Sequence, residues 1–214
     1  MDIHASEKEQ VEALKKWWKD NGSSVVTGVL LGVSVLLGGK AWMSYRQNQA
    51  LSASNIYAQM MGASQAEDAE KAKAAANELI SNYSGSAYAR LAALMLAREA
   101  VENGELPAAE AQLQWALDHA KSAEIEHTAR TRLIRVMIAR EKYAEADKLL
   151  ASVQMPGAYA YLYSELKGDL AIAQNRQADA VAAYKQALQE MPADAPNAPL
   201  LTAKYESAGG GEKP

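Results

Sequence analysis

The sequence predicts an all-α protein, a single N-terminal transmembrane helix followed by a solenoid of helical hairpins. Three observations carry that reading. Asn21 to Gly39 carries no charge at all and ends in VVTGVLLGVSVLLGG. The apolar share of 49% is built largely from Ala and Leu, with no Phe at all. Ala has the highest helix propensity and lets helices approach closely, whereas strands favour β-branched and aromatic residues. Finally, a small–large–small spacing recurs through the second half of the chain in one phase.

At the N-terminus, Ser6 with Glu9 has the form of a capping box, and Asn21-Gly22 has the form of a stop signal. These bound a cytoplasmic amphipathic helix within residues 1–22, on which Val11, Leu14, Trp17 and Trp18 form one apolar stripe. The stripe suits either an interfacial anchor or a contact for a cytosolic protein. The transmembrane helix is assigned to residues 23–43. At about 1.5 Å per residue the uncharged run reaches roughly 28 Å, close to the hydrocarbon thickness. Lys40 sits where its ammonium can snorkel to the headgroups. Trp17, Trp18 and Trp42 bracket the run as interfacial aromatics do.

Four lysines (Lys8, Lys15, Lys16, Lys19) precede the span and only Lys40 and Arg46 closely follow it. The positive-inside rule therefore expects a cytoplasmic N-terminus and an outward-facing domain. A cleaved signal sequence is the competing reading; the acidic leader and Lys40, which interrupts the Gly39/Ala41 site, oppose it. Ser24, Gly28 and Gly32 share a face that admits close helix packing, although glycine is also common in membrane helices generally.

The span is expected to continue as a stalk, because Lys40 to Met61 contains no proline. Helices are then expected at 44–62, 66–82, 87–103, 106–120, 123–140, 143–153, 158–174 and 177–190, with a short capping helix near 200–206. Their phase is set by repetition. Ala109, Leu113 and Ala116 match Ala146, Leu150 and Val153, and both match Ala180, Tyr184 and Ala187. The leading alanines recur at a nearly constant step, and a degenerate copy starts at Ala72. In the last copy Gly168, Ala180, Tyr184, Ala187 and Pro192 fall where the tetratricopeptide pattern, with its period of about 34 residues, places Gly, Ala, an aromatic, Ala and Pro. The domain is thus assigned to 44–206, tetratricopeptide-like, with a disordered Gly-rich tail at 207–214.

Several function classes fall away. From residue 50 onward there are 16 basic and 21 acidic groups, a balance of −5 without a basic stripe, which argues against nucleic-acid binding. Cysteine is absent, and His4, His119 and His127 do not share a metal-ligand spacing. Gly209–Gly211 lies in a tail and not at a strand-to-helix turn, so no phosphate loop is read there. Nothing positions a nucleophilic triad. A non-enzymatic protein without a cofactor is expected.

Two segments resemble the YfgM-like family of tetratricopeptide ancillary subunits of the bacterial Sec translocon. They are EQVEALKKWWKDNG (Glu9–Gly22), directly before the span, and ELISNYSGSAYARLAALMLA (Glu78–Ala97). The resemblance covers nearly the whole chain, and the Gly-rich C-terminus departs from it. It implies a single-pass inner-membrane protein with a periplasmic repeat domain. It further implies association with SecYEG and with a membrane-anchored periplasmic chaperone of the prolyl-isomerase-like class, help for newly translocated proteins, and a cytosolic tail that touches an envelope-stress regulator. A scaffold or assembly factor for another envelope complex is the alternative function.

Helical-hairpin solenoids bind extended peptides or partner helices along the groove formed by the first helix of each hairpin. Aligning three copies puts Arg98, Arg135 and Asp169 at one equivalent groove position, with Leu94, Val101, Ile138 and Ile172 as apolar neighbours. Two arginines beside aliphatic groups suit a carboxylate-bearing or amphipathic segment. Solvated arginines over core aliphatics are the competing reading.

Overall fold

The computed structural model describes residues 3–154 and 156–211, with side chains from residue 7 onward. Nine α-helices and one 3₁₀ turn, and no strand, are found among the described residues. The chain divides into two units, one up to Ser52 and one from Ala53.

The first unit is a single stretch of helix, part of α1 (Ile3–Gln65). Its apolar run is long and apolar enough to cross a membrane, and almost none of it is covered by other parts of the molecule. The expected break at Asn21-Gly22 does not occur. Asn21 Nδ2 donates to the Trp17 carbonyl one turn back (3.1 Å), and Gly22 lies under the Trp18 ring. One glycine costs only about 1 kcal/mol in a helix interior, too little to end a helix that has no proline to stop it. Nor does the helix start at Ser6: the backbone is already helical at Ile3, while the Ser6 side chain lies outside the described ones. The stalk continues without interruption.

The second unit starts with the last turns of α1 and continues through α2 (Ala69–Asn82), α3 (Ala87–Glu102), α4 (Leu106–Asp118), α5 (Ala123–Ala139), α6 (Tyr143–Ala151), a 3₁₀ turn (Gly157–Tyr159), α7 (Ala160–Ala173), α8 (Gln177–Glu190) and α9 (Ala198–Ser207). From α2 onward successive helices pack on one another as hairpins, and α5 also packs directly on α7. Three apolar clusters fill the stack. Ala53, Ile56 and Met60 of α1 meet Ala76 and Leu79 of α2 and Ala89 and Ala92 of α3. A central cluster around Leu113, Leu133, Ile134 and Leu166 joins α3 to α7, and a third joins α7, α8 and α9. The alanines that set the sequence phase, Ala72, Ala109, Ala146 and Ala180, are all buried.

A second in-phase feature closes the first helix of every hairpin. Glu67, Gly104, Glu141 and Asn175 all have a left-handed backbone, with φ of 58°, 76°, 60° and 59°. The next residue donates its N–H five positions back, as in Lys142 to Met137 (2.9 Å) and Arg176 to Ala171 (2.8 Å), and the left-handed residue itself bonds three back. This is the Schellman closure of a helix C-terminus. The four positions advance along the chain with the same steps as the buried alanines Ala72, Ala109, Ala146 and Ala180.

The same closure corrects the expected tail. Gly209 stands as far beyond Asn175 as Asn175 stands beyond Glu141, and it too is left-handed, with φ 92°. Gly210 N–H bonds to the Tyr205 carbonyl at 2.8 Å. Ala208 is buried, and Gln177 Nε2 donates to its carbonyl. Residues 207–211 are therefore the C-terminal cap of α9 and not disordered chain, because glycine supplies the left-handed turn at no steric cost. Residues 212–214, the rest of that expected tail, lie outside the described ones.

Candidate functional site

The register of each first helix of a hairpin is fixed by the left-handed turn that ends it. Arg98, Arg135 and Asp169 each lie six residues before that turn, so they are equivalent in structure as in sequence. Their surroundings differ. Arg98 of α3 and Arg135 of α5 line one cleft of about 630 Å³, together with Val101, Arg132, Val136 and Ala139 and with Leu106 and Leu113 of α4. Asp169 is elsewhere. It accepts from the Tyr184 hydroxyl (2.8 Å) and from Lys204 Nζ of α9 (2.8 Å), and is largely enclosed.

The aliphatic neighbours divide in the same way. Val101, 45% exposed, belongs to the cleft. Leu94 is 7% exposed and packs in the central cluster, so it cannot meet a ligand. Ile138 packs partly buried against that cluster, and Ile172 is exposed on α7, away from the cleft. The sequence-aligned set is thus separated into a cleft group (Arg98, Val101, Arg135) and a group held in the fold (Leu94, Asp169).

The cleft opens where it does because α3 and α5 are each seated on α4 and touch one another far less than α5 and α7 do. The repeat step is also three residues longer there, from Gly104 to Glu141, than it is from Glu141 to Asn175. The cleft's arginines are exposed. Arg98 Nε bonds Glu102 at 2.7 Å, and Arg135 lies 4.0 Å from Glu165. Arg132 forms no ion pair among the described residues. Alignment across repeats misses Arg132; its i, i+3 spacing from Arg135 on one helix face is the signal that finds it.

Other polar groups serve the fold. Glu110 of α4 takes Lys142 (2.7 Å) and Arg140, tying α4 to the turn between α5 and α6. Burial pushes its carboxyl up, but the two cations outweigh this and hold it below the ordinary value. His127 is buried, with Nδ1 2.6 Å from the Tyr163 hydroxyl and its ring stacked on Tyr159. Burial pushes the Tyr163 hydroxyl up to about 12, with Arg130 acting against it. His119 stacks on Trp115. No cluster of three metal-ligating side chains is found among the described residues. On α1, Val11, Leu14, Trp17 and Trp18 are exposed, as is Ser24, and a side chain at Gly28 or Gly32 would meet nothing within 4 Å.

Comparison with known proteins places this architecture. Residues 15–210 match the family described as "Tetratricopeptide repeat-like domain". The chain belongs to that tetratricopeptide family. Curated relatives within it share a printed name. One from Escherichia coli (strain K12), named "Ancillary SecYEG translocon subunit", is 30% identical over 86% of this chain and 88% of its own. Another of the same name, from Neisseria gonorrhoeae (strain ATCC 700825 / FA 1090), is 29% identical over 97% of this chain and 99% of its own. A third so named, from Haemophilus influenzae (strain ATCC 51907 / DSM 11121 / KW20 / Rd), is 28% identical over 88% and 92%. No solved structure matches the chain. The tetratricopeptide assignment explains why Gly168 and Tyr184 are paired: a Cβ at Gly168 would stand 2.3 Å from the Tyr184 ring.

Proposed function

We propose that this protein is a non-enzymatic, membrane-anchored binding module of the Sec translocon. The observation that carries this reading is the union, in one chain, of a bare membrane-length helix with a tetratricopeptide stack bearing an open cleft. Near full-length similarity to ancillary SecYEG translocon subunits supports it. A stack tied together by ion pairs such as Glu110–Arg140 and Glu165–Lys204, with exposed arginines gathered at one cleft, is built to hold a polypeptide.

In this reading residues 1–22 are cytoplasmic, residues 23–43 span the inner membrane, and the repeat domain lies in the periplasm. The excess of lysine before the span supports that direction. Newly translocated proteins meet the repeat domain beside the channel. A membrane-anchored prolyl-isomerase-like chaperone is its working partner there, and the exposed Val11, Leu14, Trp17, Trp18 face contacts a cytosolic stress regulator. Gly28 and Gly32, with Ser24, form the helix-packing face within the bilayer.

The test is in vivo photo-crosslinking from a residue in the span (Gly28) and one in the cleft (Arg135) of the full chain. Crosslinks from Gly28 to channel subunits, and from Arg135 to a translocating chain, are expected. Capture of another envelope complex, with no channel subunit from either position, would instead support a scaffold role there.

A further inference from the structure

The geometry points to a definite ligand chemistry for the α3–α5 cleft: an internal polypeptide segment in which an aliphatic side chain is flanked by Asp or Glu carboxylates. This deepens the reading above and rests on it. The domain from residue 50 onward carries a balance of −5, so an arginine cluster runs against its overall charge. At the cleft three arginines, Arg98, Arg132 and Arg135, face a single lining carboxylate, Glu102. Elsewhere in the stack Arg130, Arg140 and Arg176 are engaged with Glu126, Glu110 and Asp179, and the buried Arg90 reaches the Gly85 carbonyl.

Of these, Arg98 and Arg132 are available, while Arg135 lies 4.0 Å from the buried Glu165 and adds positive charge to the wall. Arg132 has no ion pair among the described residues, and the Arg98–Glu102 pair is exposed on both sides, so an incoming carboxylate can exchange with it at little cost. Arginine binds carboxylates in a bidentate fork, which favours it over lysine for this task. Because the groups are spread over two helices, they match several carboxylates along a segment better than the one carboxylate of a chain terminus. Between them the walls are apolar: Val101, Leu106 and Val136 surround a floor of buried Leu113. A cavity of about 630 Å³ takes one or two aliphatic side chains.

The probe is a short, amidated, fluorescent peptide with paired leucines flanked by glutamates, titrated into the full-length protein in zwitterionic nanodiscs. Saturable, salt-sensitive binding is expected, weaker by about tenfold or more with Arg98→Glu/Arg132→Glu. The same double variant should bind the lysine version of the peptide better than the wild type does. Both arginines are exposed, so the variant's unchanged circular dichroism melt serves as the folding control. A second variant, Val101→Trp, fills the cleft without altering charge and should also weaken binding. Equal wild-type affinity for the glutamate and lysine peptides would overturn the proposal. So would binding that requires a free terminal carboxylate, or displacement of the peptide by phosphatidylglycerol vesicles. Channel and client crosslinks that persist while the peptide binds no better to wild type than to the double variant would overturn this cleft and leave the translocon reading standing.

Discussion

At the scale of single residues, the fold depends on a few positions where one atom decides the outcome. Gly168 is the clearest. A methyl group there would stand 2.3 Å from the Tyr184 ring, and the ring has nowhere to go, because it is buried and its hydroxyl is bonded to Asp169. Gly168→Ala should therefore cost about 1–3 kcal/mol, the usual range for overpacking, seen as a lower urea midpoint with an unchanged slope. The left-handed turn positions make the opposite case. Glu141 sits at φ 60°, where a Cβ is strained, while Gly104 occupies the equivalent place in the previous repeat without strain. Glu141→Gly should stabilise the domain and Gly104→Ala destabilise it, each by about 1 kcal/mol. Chemical denaturation of the pair reads both signs in one experiment; stabilisation by both, or by neither, would show that the turn conformation is not what limits them.

At the scale of elements, helix ends are tied to neighbouring helices by charge. Glu110 is the plainest tie, held below its ordinary value by Lys142 and Arg140 against the cost of burial. A carboxyl depressed in the folded state contributes stability that is complete above its unfolded value, 4.5, and that fades as pH falls through and below it. The melting temperature of Glu110→Gln should thus fall short of wild type at pH 7, with the gap closing towards pH 3. The helices themselves were legible because the Ala-x-x-x-large period and the turn residues at Asn103-Gly104 and Asn175 report the same phase. Two elements were not. Asn21-Gly22 reads locally as a stop, but termination needs a competing structure, and none follows in a run that is apolar to Gly39. Ser207–Gly211 reads as low-complexity tail, yet the same glycines close α9 once Ala208 and Leu201 are buried against α8. The cleft was half legible for a similar reason. Periodicity aligned Arg98, Arg135 and Asp169, but it carries no information on Lys204, which lies outside the hairpins and takes Asp169 out of the groove.

At the scale of the whole domain, the stack is a chain of nearest-neighbour interfaces, and the last of these differs in kind. α9 ends at Gly209 with the closure used by the first helix of each hairpin, one full repeat step beyond Asn175. It therefore occupies the place of a fifth first helix. Its docking is polar as well as apolar: Lys204 reaches both Glu165 and Asp169 of α7, at 2.6 and 2.8 Å, while Leu201 is wholly buried against α8. Glu165 is itself almost fully buried, so losing Lys204 leaves a carboxylate inside the protein whose nearest remaining cation, Arg135, is 4.0 Å away. In a solenoid such a loss is felt by adjacent repeats first, since stability is close to a sum of local and neighbour terms. Leu201→Ala should cost about 2–5 kcal/mol locally. Hydrogen exchange should then show α7, α8 and α9 losing protection while α2, α3 and α4 keep theirs. Uniform loss along the stack would mean that the three apolar clusters fold as one cooperative unit. Loss confined to α9 would mean that α8 does not need its cap. The graded outcome is the one expected, because the third cluster shares α7 with the central cluster and shares no helix with the first.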